Sequence, residues 1–163
     1  VLAESVQLDR IDRRLLELLQ QDGKLSNQEL AERVNLSPSP CLRRIRRLEE
    51  LGVIKQYVAL LDPTKLGLGL LAYATVRLEK HGEAHQHSPV DTFRHAVKGW
   101  PEVIACYAMT GEMDYLLRVE VQDLEHYSRF VMDQLLRHPA VVDVKSSFAL
   151  ERIKDTTALP LPS

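Results

Sequence analysis

Apolar residues recur at Leu8, Ile11, Leu15, Leu18 and Leu19, a helical rhythm that predicts an amphipathic helix over 8–21. Asp9 is placed to cap it, and Asp12, three residues on, supplies the reciprocal acid of a capping box. Asp22-Gly23 ends it, glycine being suited to the left-handed position after a helix. Ser26 opens a second helix, with Glu29 at the capping-box position and Leu30, Ala31 and Val34 as its apolar side. Asn35-Leu36-Ser37 is short enough only for a tight turn. A third helix is predicted over 38–51: Ser37 caps, Pro38 takes the first helical position, Pro40 is tolerated in the first turn, and Gly52 stops it. At about 100° per residue from Ile45, Cys41, Leu42 and Leu48 fall within about 60° of one direction. Arg43 and Arg47 project oppositely, near Ser39 and Pro40, with Arg44 and Arg46 on the flanks.

Three helices, the last two joined by a short turn, form a helix-turn-helix arrangement. The following stretch, 53–61, is rich in β-branched and aromatic residues and is expected to be extended, as a small wing or an arm. Asp62-Pro63 breaks it. The hydrophobic rhythm then changes. Apolar, β-prone runs are predicted over 70–78, 103–110, 113–121 and 141–153, with helices over 88–99, capped by Ser88, and 123–138, capped by Asp123. The order β-α-β-β-α-β is that of a ferredoxin-like unit, with four antiparallel strands and both helices on one face. Apolar residues at both parities of the first strand imply burial on both of its faces, and dimerisation through the open face would supply it. The expected fold class is α+β. Residues 1–62 form a winged helix-turn-helix domain, 63–69 a linker, 70–155 a ferredoxin-like effector and oligomerisation domain, and 156–163 a C-terminal tail.

Composition adds little until charge is located. A hydrophobic fraction of 45% and a charged fraction of 27% are those of an ordinary globular protein. No apolar run reaches the ~20 residues that span a bilayer, and the first residues lack the blocks of a signal peptide. Two cysteines make no disulfide framework. The expected location is the cytoplasm, at the nucleoid, with no membrane partner. Net charge is −2, which excludes a globally basic nucleic-acid binder. Locally, however, four arginines fall within five residues of the third helix, and local patches steer proteins to phosphates.

There Ser39, Arg43 and Arg47 are placed to meet base edges, and Arg44 and Arg46 to meet phosphates, since the guanidinium fork pairs with guanine or phosphate oxygens; Ser37 and Pro40, in the same first turn, complete the expected DNA-binding set. A second reading of Arg44 stands beside this: a brace to an acid of the first helix. In the second half, Thr110-Gly111-Glu112 with Asp114 reads as a tight strand-strand turn, which needs no function. An aspartate beside exposed backbone N–H groups also suits the ammonium and carboxylate of a free amino acid. Ser146 and Ser147 read as ordinary polar strand positions. His81, His85 and His87 cluster in a loop, but no convergent ligand set makes them a metal site. No nucleophile turn or phosphate loop is present, Gly67-Leu68-Gly69 lacking the remaining residues, so neither catalytic residues nor a cofactor is expected. Cys41 and Cys106 read as core thiols.

The pattern as a whole resembles the leucine-responsive regulator/AsnC, or feast/famine, transcription factors. The likeness rests on Leu8-Asp9, Asp12, Leu15-Leu16, Asp22-Gly23-Lys24-Leu25-Ser26, Glu29-Leu30-Ala31, the 36–42 run, Arg44, Leu48-Glu49 and Gly52-Val53-Ile54. It continues through Asp62-Pro63, Leu66-Gly67, Trp100-Pro101-Glu102-Val103, Cys106, Met109-Thr110-Gly111, 114–119, Leu150 and Ile153-Lys154. The resemblance implies a double-stranded-DNA-binding regulator that dimerises through its sheet domain and assembles into tetramers or octamers. It implies a small amino-acid effector between dimers, held by Thr110, Gly111, Glu112, Asp114, Tyr115 and Leu116, with a neighbouring subunit's residues near Ser146 and Ser147. A leucine-like effector is the first expectation. The rival reading is an amino-acid sensor or ferredoxin-like enzyme whose helix-turn-helix contacts protein.

Overall fold

The computed structural model describes residues 5–79 and 88–162. Two compact units divide the chain: 1–60 together with 154–163, and 61–153.

In the first unit, α1 (Arg10–Gln21), α2 (Asn27–Arg33) and α3 (Pro38–Glu50) form the three-helix arrangement. Both predicted capping boxes form. Asp9 accepts from the Asp12 N–H at 2.8 Å, while the Asp9 N–H donates to the Asp12 carboxylate at 3.2 Å. Ser26 and Glu29 repeat the arrangement at the start of α2. Ser37 stands at the N-cap of α3, but its hydroxyl caps nothing. Pro40 removes the N–H of the third helical residue, one of the two donors a capping oxygen can take. Gly23 does not take the left-handed conformation expected of it; Asn35, with φ 56°, does so at the end of α2. Gly52, with φ 70°, ends α3 as predicted. Leu15, Leu18, Leu30, Ala31, Cys41 and Ile45 make the core. Residues 53–61, expected to be extended as a wing or arm, carry no strand pairing in the single chain.

The second unit holds β1 (Leu70–Leu78), α4 (Pro89–Val97), β2 (Val103–Ala108), β3 (Tyr115–Val121), α5 (Leu124–Phe130) and β4 (Val141–Phe148). A 3-10 turn over Thr64–Leu66 precedes them. The sheet order is β2-β3-β1-β4, with antiparallel pairing throughout. The topology is the predicted ferredoxin-like one. Several elements differ in detail, β3 among them, which begins at Tyr115 and not at 113. β4 stops at Phe148, short of the expected 153, and β2 ends at Ala108. α5 passes into a π-helical turn over Val131–Leu135. Ala72, Ala74, Val76, Leu117, Val119 and Phe93 fill the core between sheet and helices. The opposite sheet face is uncovered in the single chain, with Tyr73 and Tyr107 exposed. At one end of that face Glu120 is buried between Arg118 and Arg152, each at 2.9 Å.

Candidate nucleic-acid interface and effector turn

The helical angles of α3 divide its arginines between solvent and α1. Cys41, Ile45 and Leu48 are buried, while Ser37, Ser39, Arg43, Arg46 and Arg47 are exposed. Leu42, placed by its angle on the core side, is 37% exposed. Arg44 turns toward α1, and its Nη1 meets Asp9 at 2.6 Å and Asp12 at 2.8 Å. Asp12 is 2% exposed, and Arg47 Nη1 lies 3.5 Å from its other oxygen. A buried carboxylate needs such partners. Asp9 is held below the usual carboxylate range, first by the Asp12 N–H and then by Arg44. Of the two readings of Arg44, the brace is the one this geometry realises. Asp9 and Asp12 were missed as site residues. The available signal was an acid three positions before Leu15, on the core side of α1, where an ionised group demands a cation.

Gln7, Leu8, Asp9, Asp12, Pro40, Arg43, Arg44 and Arg47 line an open groove of about 610 Å³ beside this cluster. The turn between α2 and α3 is fixed by Asn27 Nδ2, which donates to the Pro38 carbonyl at 2.8 Å. At the far end of α3, the Tyr57 hydroxyl donates to Glu49 at 2.9 Å; partial burial, with this bond adding to it, pushes the phenol up to about 12. Burial also pushes the Cys41 and Cys106 thiols above their ordinary value.

The turn between β2 and β3 is closed by the Met109 N–H donating to the Asp114 carbonyl at 2.9 Å. Gly111 sits at φ 110° with open space where a Cβ would be, so the constraint there is conformational and not steric. Thr110 and Glu112 are exposed, with Glu112 reaching Lys145 at 3.5 Å. Asp114 is already engaged: Oδ2 accepts from the Leu78 N–H at 2.7 Å. Tyr115 points into the helix layer, where its hydroxyl accepts from Arg94 Nε at 3.0 Å. Leu116, its neighbour in the strand, faces the other way.

Ser146 and Ser147 divide likewise. Ser146 pairs in register with Ala74 and bonds to the Tyr127 hydroxyl at 2.6 Å, on the helix side; Ser147 pairs with Tyr73 on the open face. Within one chain these residues do not converge. A cavity of about 280 Å³ does adjoin the turn, lined by Leu78, Glu79, Ser88, Pro89, Val90, Asp114 and Tyr115. Its residues at the start of α4 carried no signal in the sequence beyond a helix cap.

His81, His85 and His87 lie outside the described residues. Among the described residues no group of three His, Cys, Asp or Glu side chains is placed to hold a metal ion, and no helix is long and apolar enough to cross a membrane.

An arginine-faced third helix joined to a four-stranded α+β unit defines a class: helix-turn-helix transcriptional regulators that carry a ligand-binding domain. Residues 8–55 match the winged helix-turn-helix DNA-binding family, and residues 71–159 match the Lrp/AsnC ligand binding domain. The chain belongs to the Lrp/AsnC family. It is 47% identical over 154 residues to the DNA-binding transcriptional activator DecR of Escherichia coli, covering 94% of this chain and 99% of that one. It is 40% identical over 152 residues to the leucine-responsive regulatory protein of the same organism, covering 93% and 90%. Among solved structures, the L-Met complex of the transcriptional regulator NMB0573 from Neisseria meningitidis superposes with a TM-score of 0.89 at 47% identity, covering 94% of this chain and 97% of that chain. This chain is thus a DNA-binding transcriptional regulator with a ligand-binding domain.

Proposed function

We propose that this regulator reads DNA with Ser37, Ser39, Arg43, Arg46 and Arg47, uses Arg44 to hold the reading helix, and answers to a small apolar amino acid. The observation that carries the first part is the division of α3 into a buried face and an exposed face that holds three of its four arginines. Two copies of α3 in a dimer enter successive major grooves about 34 Å apart on a pseudo-palindrome. Arginines on the exposed face meet guanine edges and phosphates. Retardation of promoter DNA by wild type and by the R43A/R47A double variant tests this. A loss of at least tenfold in affinity is expected; unchanged binding overturns the assignment of the face.

For the effector, the supporting features are the Gly111 turn, the cavity beside Asp114, and the relative crystallised with L-Met. Leucine and methionine are the first candidates. The sheet's open face joins two chains into a dimer, and the amino acid binds where dimers meet, with the turn 110–116 from one chain and residues near Ser146 and Ser147 from another. The effector shifts assembly only as far as its affinity differs between the assembled forms. A thermal-shift screen of the twenty amino acids identifies it. Asp114→Asn is the informative variant, because it keeps an acceptor for the Leu78 N–H and removes only the charge. The expected result is an effector shift lost with the basal melting temperature within a few degrees of wild type; a retained shift places the ammonium elsewhere.

A further inference from the structure

The outer flank of α1 carries a contact that DNA reading does not use. Gln20 pairs its side-chain amide with both main-chain groups of Leu159: Nε2 donates to the carbonyl at 3.0 Å and Oε1 accepts the N–H at 2.6 Å. Two turns earlier, Arg13 Nε donates to the Pro162 carbonyl at 2.9 Å.

The spacing of the two strips matches. Residues seven apart on a helix lie on nearly one line, about 10.5 Å apart. Three steps of a proline-rich extended chain, at about 3.1 Å each, cover about 9 Å. The segment Leu159-Pro160-Leu161-Pro162 therefore runs antiparallel to α1, with its contact points in step with Gln20 and Arg13. Both prolines lack an N–H, which prevents this segment from joining a sheet as an ordinary strand. A single amide side chain that offers donor and acceptor together suits the main-chain groups that remain.

We propose that the Arg13–Gln20 flank of α1 is a docking strip for the proline-rich segment 159–162 of the same chain, read through its main chain. The chain passes from the helical unit to the sheet unit at 60–61 and returns at 153–154. With the segment docked, the DNA-reading unit is fastened to the sheet unit's chain at both of its ends, not through one linker alone. Because recognition is through main-chain groups, the leucines at 159 and 161 can vary while the prolines and Gln20 cannot.

Hydrogen exchange on the full chain tests the docking. In Gln20→Ala, the Leu159 amide is expected to exchange roughly tenfold faster than in wild type, which corresponds to the loss of one to two net hydrogen bonds. The Leu161 amide, for which no acceptor is seen among the described residues, serves as the internal control and is expected not to change. Alanine is the better helix former, so α1 stays folded in this variant. Gln20→Glu keeps the acceptor for the Leu159 N–H and is expected to retain most of the protection. Equal Leu159 exchange in wild type and Gln20→Ala overturns the proposal.

A photo-crosslinking side chain at position 161, in co-refolded mixtures of isotopically light and heavy chains, tests which copy is docked. Crosslinks to α1 are expected only between peptides of like isotope. Mixed light–heavy pairs would place the segment on a second copy and overturn the same-chain assignment.

Discussion

Arg43 and Arg44 are adjacent and chemically identical, and their surroundings separate them. Arg43 is exposed beside the groove, while Arg44 is bonded to Asp9 and Asp12. Substituting each by alanine should therefore give opposite profiles. Arg43→Ala is expected to weaken DNA binding with the melting temperature near wild type. Arg44→Ala leaves Asp12 buried with the Asp9 N–H at 3.2 Å and Arg47 at 3.5 Å, and is expected to cost about 2 kcal/mol of stability, less than for a fully abandoned buried charge. Parallel retardation and thermal-melting measurements check the contrast. The helical wheel placed Arg43 correctly on the exposed side, since an angle from the core is a local quantity. It left two readings of Arg44 open, because a bond across 35 residues is set by how α1 and α3 cross. Ser146 and Ser147 show the same limit in a strand: the resemblance supplied the pair, while the period of two puts them on opposite faces.

Among the elements, caps were the most legible feature and the first turn of α3 the least. Both capping boxes could be predicted from residue types at a fixed spacing of three. Ser37 is of the capping type and yet caps nothing, Pro40 having removed one of the two donors that a capping oxygen can take. The α-to-π change at Val131 leaves no mark in a hydrophobic pattern, since one turn of wider winding alters the period too little to see. Asp9 joins both themes: it caps α1 and pairs with Arg44. Asp9→Ala is expected to cost about 1 kcal/mol through the cap, and Asp9→Asn much less, because asparagine caps equally well. What Asp9→Asn removes is the charge. The carboxyl is held below its ordinary value, so its contribution is complete above about pH 4 and is lost as pH falls through the lowered value. The difference between wild type and Asp9→Asn in melting temperature is expected at pH 7 and should vanish in acid.

At the scale of the molecule, the β-α-β-β-α-β order was legible because the hydrophobic rhythm changes from a helical period to short apolar, β-prone runs near residue 70, and each helix of that half announces its cap. What the pattern could not show is how unevenly the open sheet face is built. Tyr73 and Tyr107 are exposed on it, while one end holds the buried Glu120 between two arginines. If that face joins two chains, negative charges in place of its exposed tyrosines should separate them. The Y73E/Y107E variant is expected to sediment as a monomer at concentrations where wild type is dimeric or larger. A variant that still dimerises would mean that another surface holds the pair.

The pair of prolines that open α3 has a consequence for the regulator as a physical instrument. Most helix N-termini can grip a phosphate with neutral N–H groups, a contact that releases few counterions. Pro38 and Pro40 remove two of those groups, so on the proposed reading face backbone recognition would fall to arginine cations. Cationic contacts are paid in released counterions, and a dimer makes each of them twice. With about five phosphates neutralised, a twofold rise in salt would lower affinity by about 20-fold. The occupancy of a promoter would then follow the osmotic state of the surroundings as well as the concentration of an amino acid, so the same protein would report two conditions through one equilibrium.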